Sequence, residues 1–291
     1  MQSTKICFDK VKKDCFRFIK SQETSKEKFS NKEGMLKSFL IPMCFWIVKK
    51  ANNKKPFLVG LAGGQGTGKT TISSILKIIL EKYFKLKVFK ISIDDFYKTR
   101  KERVALSKKV HPMLMTRGVP GTHDVEMMLN FFKKVKSKNF KKIELPNFNK
   151  AIDDRSPKKN WYKIKERPDI IIFEGWCVGS KPQPEEALTE ALNSLESERD
   201  PDGIWRRFFN RALAGDYQQL FNKINRLIML RAPSFDSVFN WRLEQEQKMI
   251  ARLANQGSGD HSGIMSQAQI AEFIAHYQRM TEFTLEEMPG R

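Results

Sequence analysis

One stretch limits what this chain can become more than any other: PFLVGLAGGQGTGKTT, from Pro56 to Thr71. Gly63, Gly68, Lys69 and Thr70 stand at the GxxxxGK[ST] spacing of a phosphate-binding loop. Glycines let the backbone curl until its N–H groups point inward at an anion. Phe57 to Leu61 before the loop is a short apolar run, which reads as a buried parallel strand. After it, Ile72, Ile75, Leu76, Ile79 and Leu80 recur with the period of a helix face. Strand, glycine loop and helix N-terminus together make an anion site with the helix dipole aimed at it. Gly63, Gly64, Gln65, Gly66, Thr67, Gly68, Lys69, Thr70 and Thr71 are therefore the expected nucleotide-binding residues. Lys69 is placed to reach the outer phosphates, and the Thr70 hydroxyl to hold Mg2+.

A second and a third strand end in carboxylates. Val88 to Ile93 runs into Ser92-Ile93-Asp94-Asp95-Phe96-Tyr97. Asp169 to Phe173, DIIIF, runs into Glu174-Gly175-Trp176. In open α/β sheets ligands bind at the carboxyl ends of the strands, so Asp94, Asp95 and Glu174 are expected on the edge that carries the phosphate loop. Glu174 at the tip of a buried strand suits Mg2+ or its water shell. A fourth strand is expected at Arg226 to Leu230. Strands alternating with helices mean a parallel sheet with right-handed crossovers.

Between these strands lie polar segments. Lys98 to Lys109 reads as a basic loop. TRGVPGTHD, Thr116 to Asp124, reads as a structured loop whose Arg117 and His123 can face an anion, with Asp124 as a helix N-cap. A lone histidine is as readily structural as ligand-binding. In LPNFNKAIDDR, Leu145 to Arg155, the residues Lys150, Asp153, Asp154 and Arg155 form either a salt-bridged turn or part of a pocket. Pro182 to about Asp202 is acidic with helical leucine spacing, and Trp205 to Phe221 reads as a further helix. A long helix is expected from Ser234 to about Gln256, stopped by the hinge QGSGDHSG, Gln256 to Gly263. A last helix opens at Ser266 with Gln269 in capping-box spacing. At the other end, residues 1 to about 34 are basic with scattered aromatics, and the apolar run LIPMCFWIV, Leu40 to Val48, is expected on the core.

Composition trims the options. The chain has 291 residues, enough for one large domain and a sizeable core. No apolar run nears the roughly 18 residues of a membrane span. Lys5, Lys10, Lys12 and Lys13 break any signal-peptide pattern, which favours the cytoplasm. Cys7, Cys15, Cys44 and Cys177 form no CxxC pair, so neither zinc nor a disulfide framework is indicated. The net charge of +20 would suit nucleic acid or an acidic membrane. No nucleic-acid motif of the usual kinds accompanies it, so a lysine-biased surface around a site for anionic substrates is favoured. Nothing in the sequence sets an oligomeric state.

Several segments together resemble one family. IPMCFWIVKK, GLAGGQGTGKTT, SIDDFYKTR, TRGVPGTHD, LPNFNKAIDDR, IIIFEGWCVG, RAPSFDSVFNWRLEQE and FIAHYQRMTEF follow one another from about Leu40 to Met288. In this order they are similar to the D-glycerate 3-kinase type of P-loop kinase, within the uridine kinase, phosphoribulokinase and pantothenate kinase class. The resemblance implies a three-layer α/β/α P-loop fold with a helical lid. The kinase domain is expected at residues 56–291, behind a basic, mostly helical extension at 1–55. It implies ATP, Mg2+ and a small hydroxy-acid acceptor such as D-glycerate. It gives Lys69 and Thr70 the phosphate and metal roles, Asp94 the orientation of the acceptor hydroxyl with Asp95 its rival, Glu174 the metal side, and Arg242 the lid arginine. Tyr97, Arg117, His123, Lys150 and Arg155 become candidates for the acceptor. The resemblance leaves the first 39 residues uncovered. The family continues past the segment matched by Met288–Arg291 into one more strand, so an edge strand is expected to be missing.

Two rivals stand beside this reading. One is a related kinase for a nucleoside, a pantothenate-like acid or a sugar phosphate. The other is a P-loop ATPase bound to nucleic acid.

Overall fold

The computed structural model describes residues 2–23, 28–244 and 266–291. Four parallel strands form the central sheet in the order β2-β7-β1-β8. These are β1 (Phe57–Ala62), β2 (Val88–Ser92), β7 (Ile170–Gly175) and β8 (Arg226–Met229). Two short antiparallel pairs sit outside the sheet. β3 (Ile143–Leu145) pairs with β6 (Tyr162–Ile164), and β4 (Phe148–Asn149) pairs with β5 (Asp154–Arg155). All four expected strands are present, and β1 and β7, apolar at most positions, are the central and fully buried ones.

Strand periodicity divides the core in two, because successive side chains face opposite sides of a sheet. Leu58, Ile91, Ile171 and Phe173 face one layer, which contains Met128, Phe131 and Phe132 of the helix Val125–Lys136. Phe57, Val59, Leu61, Ile170 and Ile172 face the other, which contains Ile75, Leu76, Ile79 and Leu80 of the helix Lys69–Lys82. This is the three-layer α/β/α arrangement. The second layer continues outward into the N-terminal segment. Cys7, Val11, Cys15 and Ile19 of the helix Gln2–Gln22 and Leu36, Ile41, Cys44 and Ile47 of the next helical stretch belong to the same buried cluster. The Cys44 thiol lies 3.8 Å from the Leu76 carbonyl oxygen.

The polar segments are where local reading and structure part. Lys98 to Lys109 is not a loop, since Arg100–Lys109 is a helix closed by a Thr99/Glu102 capping box. Its only buried residue is Arg103, so it has no apolar stripe to announce it. The acidic stretch after Pro182 is not one helix. It has a 3-10 turn at Glu185–Leu188 and a six-residue helix at Ser194–Arg199, and Leu192 is exposed. The helix expected at Trp205 to Phe221 is Ile204–Ala212 followed by a π-turn bent at Gly215 and one further turn, Gln218–Phe221. Asp124 caps its helix through Met127 N–H, and Ser266 and Gln269 form the expected capping box. Residues 235–244 are helical. The expected continuation to Gln256 and the hinge up to Gly263 lie outside the described residues. So does the stretch to residue 265 that would join this helix to the last one.

Candidate active site

The carboxyl ends of β1, β2 and β7 open into one cavity of about 640 Å³. Its floor is the phosphate loop, contributing Gln65, Gly66, Gly68, Lys69, Thr70 and Thr71. Gly66 and Gly68 both have φ of +81°, a region where side chains are strained. At Gly66 a Cβ would also stand 2.4 Å from the Trp241 Cβ, so the helix 235–244 packs directly over the loop. The Gly64 carbonyl accepts hydrogen bonds from the Thr67 hydroxyl and from Lys69 Nζ, both at 2.8 Å. Gly68 forms the N-cap of the helix Lys69–Lys82, so that helix's N-terminus points into the cavity.

Beside the loop, β7, the strand next to β1, delivers Glu174. The Thr70 hydroxyl donates to Glu174 Oε1 at 3.0 Å. Burial pushes the Glu174 carboxyl above its ordinary value against the pull of the Lys69 ammonium. Burial also lowers Lys69, opposed by the charges of Glu174 and Asp94.

Beyond β2, the 3-10 turn Ile93–Phe96 presents Asp94 and Asp95. Asp94 Oδ1 accepts from the Tyr97 hydroxyl at 3.1 Å, and Oδ2 pairs with Lys150 Nζ at 2.7 Å. Burial alone would raise Asp94, but the charge and hydrogen bond of Lys150 prevail and hold it below its ordinary value. Burial pushes Asp95 from 3.8 up to about 6, with backbone hydrogen bonds at Phe148 and Ser92 pulling the other way. Asp94 is thus the one that stays ionised across the neutral and mildly acidic range.

The cavity's far wall is cationic and aromatic. Arg117 reaches it from the TRGVPGTHD loop, with its guanidinium paired to Asp153 and 5.6 Å from the Phe148 ring centroid. Asp153 has a left-handed backbone (φ +52°) at the β4–β5 turn. Its other oxygen accepts from the fully buried Arg103 at 2.8 Å. Arg103 also donates to the backbone carbonyls of Met115 and Asp153, so the clamp is anchored in the fold. The last helix, Gln267–Glu287, adds Phe273 and Tyr277. Tyr277 donates to the Arg117 carbonyl at 3.0 Å. Gly118, with φ +144°, leaves the room for this, since a Cβ there would meet the Tyr277 hydroxyl oxygen at 2.4 Å. Arg242 lines the cavity with its guanidinium 5.7 Å from the Phe273 ring centroid.

No protein-family model matches the chain. Curated proteins do. The chain is 34% identical over 239 residues to the uncharacterized kinase mug58 of Schizosaccharomyces pombe, covering 79% of this chain and 82% of that protein. It belongs to the same family of P-loop kinases as this relative. It is an ATP-dependent kinase. The chloroplastic D-glycerate 3-kinase of Arabidopsis thaliana is 26% identical over 84% of this chain, which spans about half of that protein's length (53%). Among solved structures, a D-glycerate 3-kinase from Cryptococcus neoformans superposes with a TM-score of 0.68 at 25% identity, covering 85% of this chain and 88% of that one.

Of the residues expected at the site of this P-loop kinase, the cavity wall unites Lys69, Thr70, Asp94, Asp95, Tyr97, Arg117, Lys150, Glu174 and Arg242. His123 and Arg155 stand behind that wall. The His123 ring is buried, stacks on Tyr97 at 4.4 Å, and shares a hydrogen bond between Nδ1 and the Tyr217 hydroxyl at 2.7 Å. Burial drives its pKa from 6.5 down to about 3, so the ring is neutral. Arg155 donates to the Tyr97 carbonyl at 2.9 Å and to Asp124 at 3.0 Å, tying β5 to a helix N-cap. Both support Tyr97 from the rear. The wall also holds Lys90, Ser92, Phe148, Tyr162, Trp176, Phe273 and Tyr277, which the sequence reading did not assign. Lys90 and Ser92 were readable in principle, as in-strand positions just before Asp94. The Tyr277 hydroxyl reaches the site only through a contact spanning 160 positions, which no local pattern signals.

Proposed function

We propose that this kinase transfers the γ-phosphate of ATP to a hydroxyl of a small hydroxy acid, D-glycerate to 3-phosphoglycerate, with Mg2+. The observation that carries this is the position of Asp94, in one cavity between the phosphate loop and a pair of cations, Arg117 and Lys150. A phosphate donor on one side and cations for an acid group on the other call for an acceptor with both a hydroxyl and a carboxylate. The names of the Arabidopsis and Cryptococcus relatives agree with that choice.

The donor set suits Mg2+. A hydroxyl and a buried carboxylate, 3.0 Å apart at the loop, are hard oxygen ligands. Among the described residues no group of three or more His, Cys, Asp or Glu could hold a metal. That is in keeping with Mg2+ held by one or two protein oxygens, substrate phosphates and water. Thr70 and Glu174 would hold it, and when bound it neutralises charge on the phosphates.

The chain's own residues supply position and charge, which is most of what phosphoryl transfer requires. Backbone amides of the loop and the Lys69 ammonium take the outer phosphates. Asp94 accepts the hydrogen of the acceptor hydroxyl and points its oxygen at the γ-phosphorus. Arg117, fixed by Asp153, holds the acceptor carboxylate. Phe148, Trp176 and Tyr277 narrow the space available to water. Arg242 is the cation on the helical side and offsets charge that spreads over the moving phosphoryl group.

An acceptor panel with purified protein, ATP and Mg2+ tests the reading. ADP release should be greatest with D-glycerate. Preferred turnover of uridine, pantothenate or a sugar phosphate would replace glycerate as acceptor. Salt-sensitive RNA binding with no acceptor-dependent ADP release would overturn the small-molecule reading altogether.

A further inference from the structure

We propose that Lys150 is a gate on Asp94, opened by an anionic group of the acceptor, so that the site fires on hydroxy acids and not on water or neutral alcohols. This rests on the reading of Asp94 as the residue that orients the acceptor hydroxyl.

Both oxygens of the Asp94 carboxylate are engaged by side chains of the protein. Oδ1 takes the Tyr97 hydroxyl at 3.1 Å and Oδ2 takes Lys150 Nζ at 2.7 Å. Tyr97 is a fixed partner, buried and stacked on His123. Lys150 is not. Its side chain is 61% exposed, against 27% for Asp94, and it sits at the tip of the β4–β5 turn. The two cations facing the acceptor differ in the same way. Arg117 is locked through Asp153 to the buried Arg103, while Lys150 rides on a flexible four-carbon stem. The exposed Lys150 end keeps part of its hydration, so its ammonium can trade one anionic partner for another.

A carboxylate docked on Arg117 therefore offers Lys150 a second anionic partner inside the same cavity. When Lys150 moves to it, Oδ2 is released to accept the acceptor O–H. The acceptor oxygen then bonds to the γ-phosphorus, the bridging β–γ P–O bond breaks with its electron pair leaving on ADP, and the proton passes to Asp94 Oδ2. Water and neutral alcohols carry no charge to draw Lys150 away, so Oδ2 stays capped. Lys150 is thus a specificity-determining residue that protects ATP from wasteful hydrolysis.

Lys150→Met is the test, read in three assays. Acceptor-free ATP hydrolysis should rise about tenfold, a fraction of what a freed general base contributes. Turnover of glycerol relative to D-glycerate should rise with it, and the added Asp94→Asn change should abolish the gain. In the wild-type protein, propionate, an acid of glycerate's length without hydroxyls, should stimulate ATP hydrolysis, and in Lys150→Met it should not. If Lys150→Met raises only the KM for D-glycerate, with hydrolysis, glycerol turnover and the propionate response at wild-type values, the gate is refuted and Lys150 is a plain anchor. If Asp94→Asn alone keeps full glycerate turnover, it is the underlying reading of Asp94 that fails.

Discussion

Thr70 donates its hydroxyl hydrogen to Glu174 at 3.0 Å, across 104 positions of sequence. The contact joins the first residues of the loop helix to the tip of β7 and makes one oxygen-lined corner from two distant motifs. Glu174→Gln keeps the shape and a hydrogen-bond acceptor but removes the charge. The Mg2+ concentration needed for half-maximal turnover should rise about ten- to a hundredfold. A Mg2+ titration of ADP release reads this directly, and an unchanged curve would make Glu174 a structural carboxylate.

Asp94→Asn should lower kcat by about two to four orders of magnitude, the usual worth of a positioned base. ATP affinity should hold, because the nucleotide is gripped by the loop. Nucleotide titration by fluorescence or calorimetry, run beside steady-state kinetics, separates the two. If Asp95→Asn produces the loss instead, the neighbours have exchanged roles.

Asp153→Asn should loosen Arg117 without touching the nucleotide. A hydrogen bond to a charged group is worth about 1.5–3 kcal/mol, so the KM for the acceptor should climb roughly ten- to a hundredfold while that for ATP stays put. Equal shifts in both constants would point to a general collapse of the cavity.

His123 carries a pH signature of its own. Its folded pKa, about 3, lies below the 6.5 of the free side chain. Between those values the unfolded chain binds the proton and the folded one does not. Stability should therefore fall as pH drops from about 6.5 toward 3, and His123→Gln should remove that component of the slope. Denaturant midpoints over this range measure it, and an unaltered slope would mean that the ring titrates freely in the folded protein.

The sheet was legible because its strands are mostly apolar, because three of them are followed by chemistry at their carboxyl ends, and because the glycine loop demands a strand before it and a helix after it. The site's outer half was less so. Arg100–Lys109 is a helix held by a capping box and one buried arginine, with no stripe of apolar residues to reveal its period. His123 lies among residues that do face the cavity, and its stacking on Tyr97 and its hydrogen bond with Tyr217 show that it looks the other way. Asp153 appears in the sequence as one of two adjacent aspartates. What separates it from Asp154 is a left-handed backbone that aims it at Arg103 and Arg117.

The helix that begins at the phosphate loop has the sheet on one side and the N-terminal helices on the other, with Cys7, Cys15 and Cys44 in the seam. A rod braced on opposite flanks has little freedom to tilt, and the field from its dipole keeps its heading. Charge moving on a phosphoryl group therefore meets dipoles that are already aligned, and no free energy is lost in turning them during the transfer. The N-terminal helices thus act as ballast behind the loop helix, packed on a side that contributes no residue to the cavity wall.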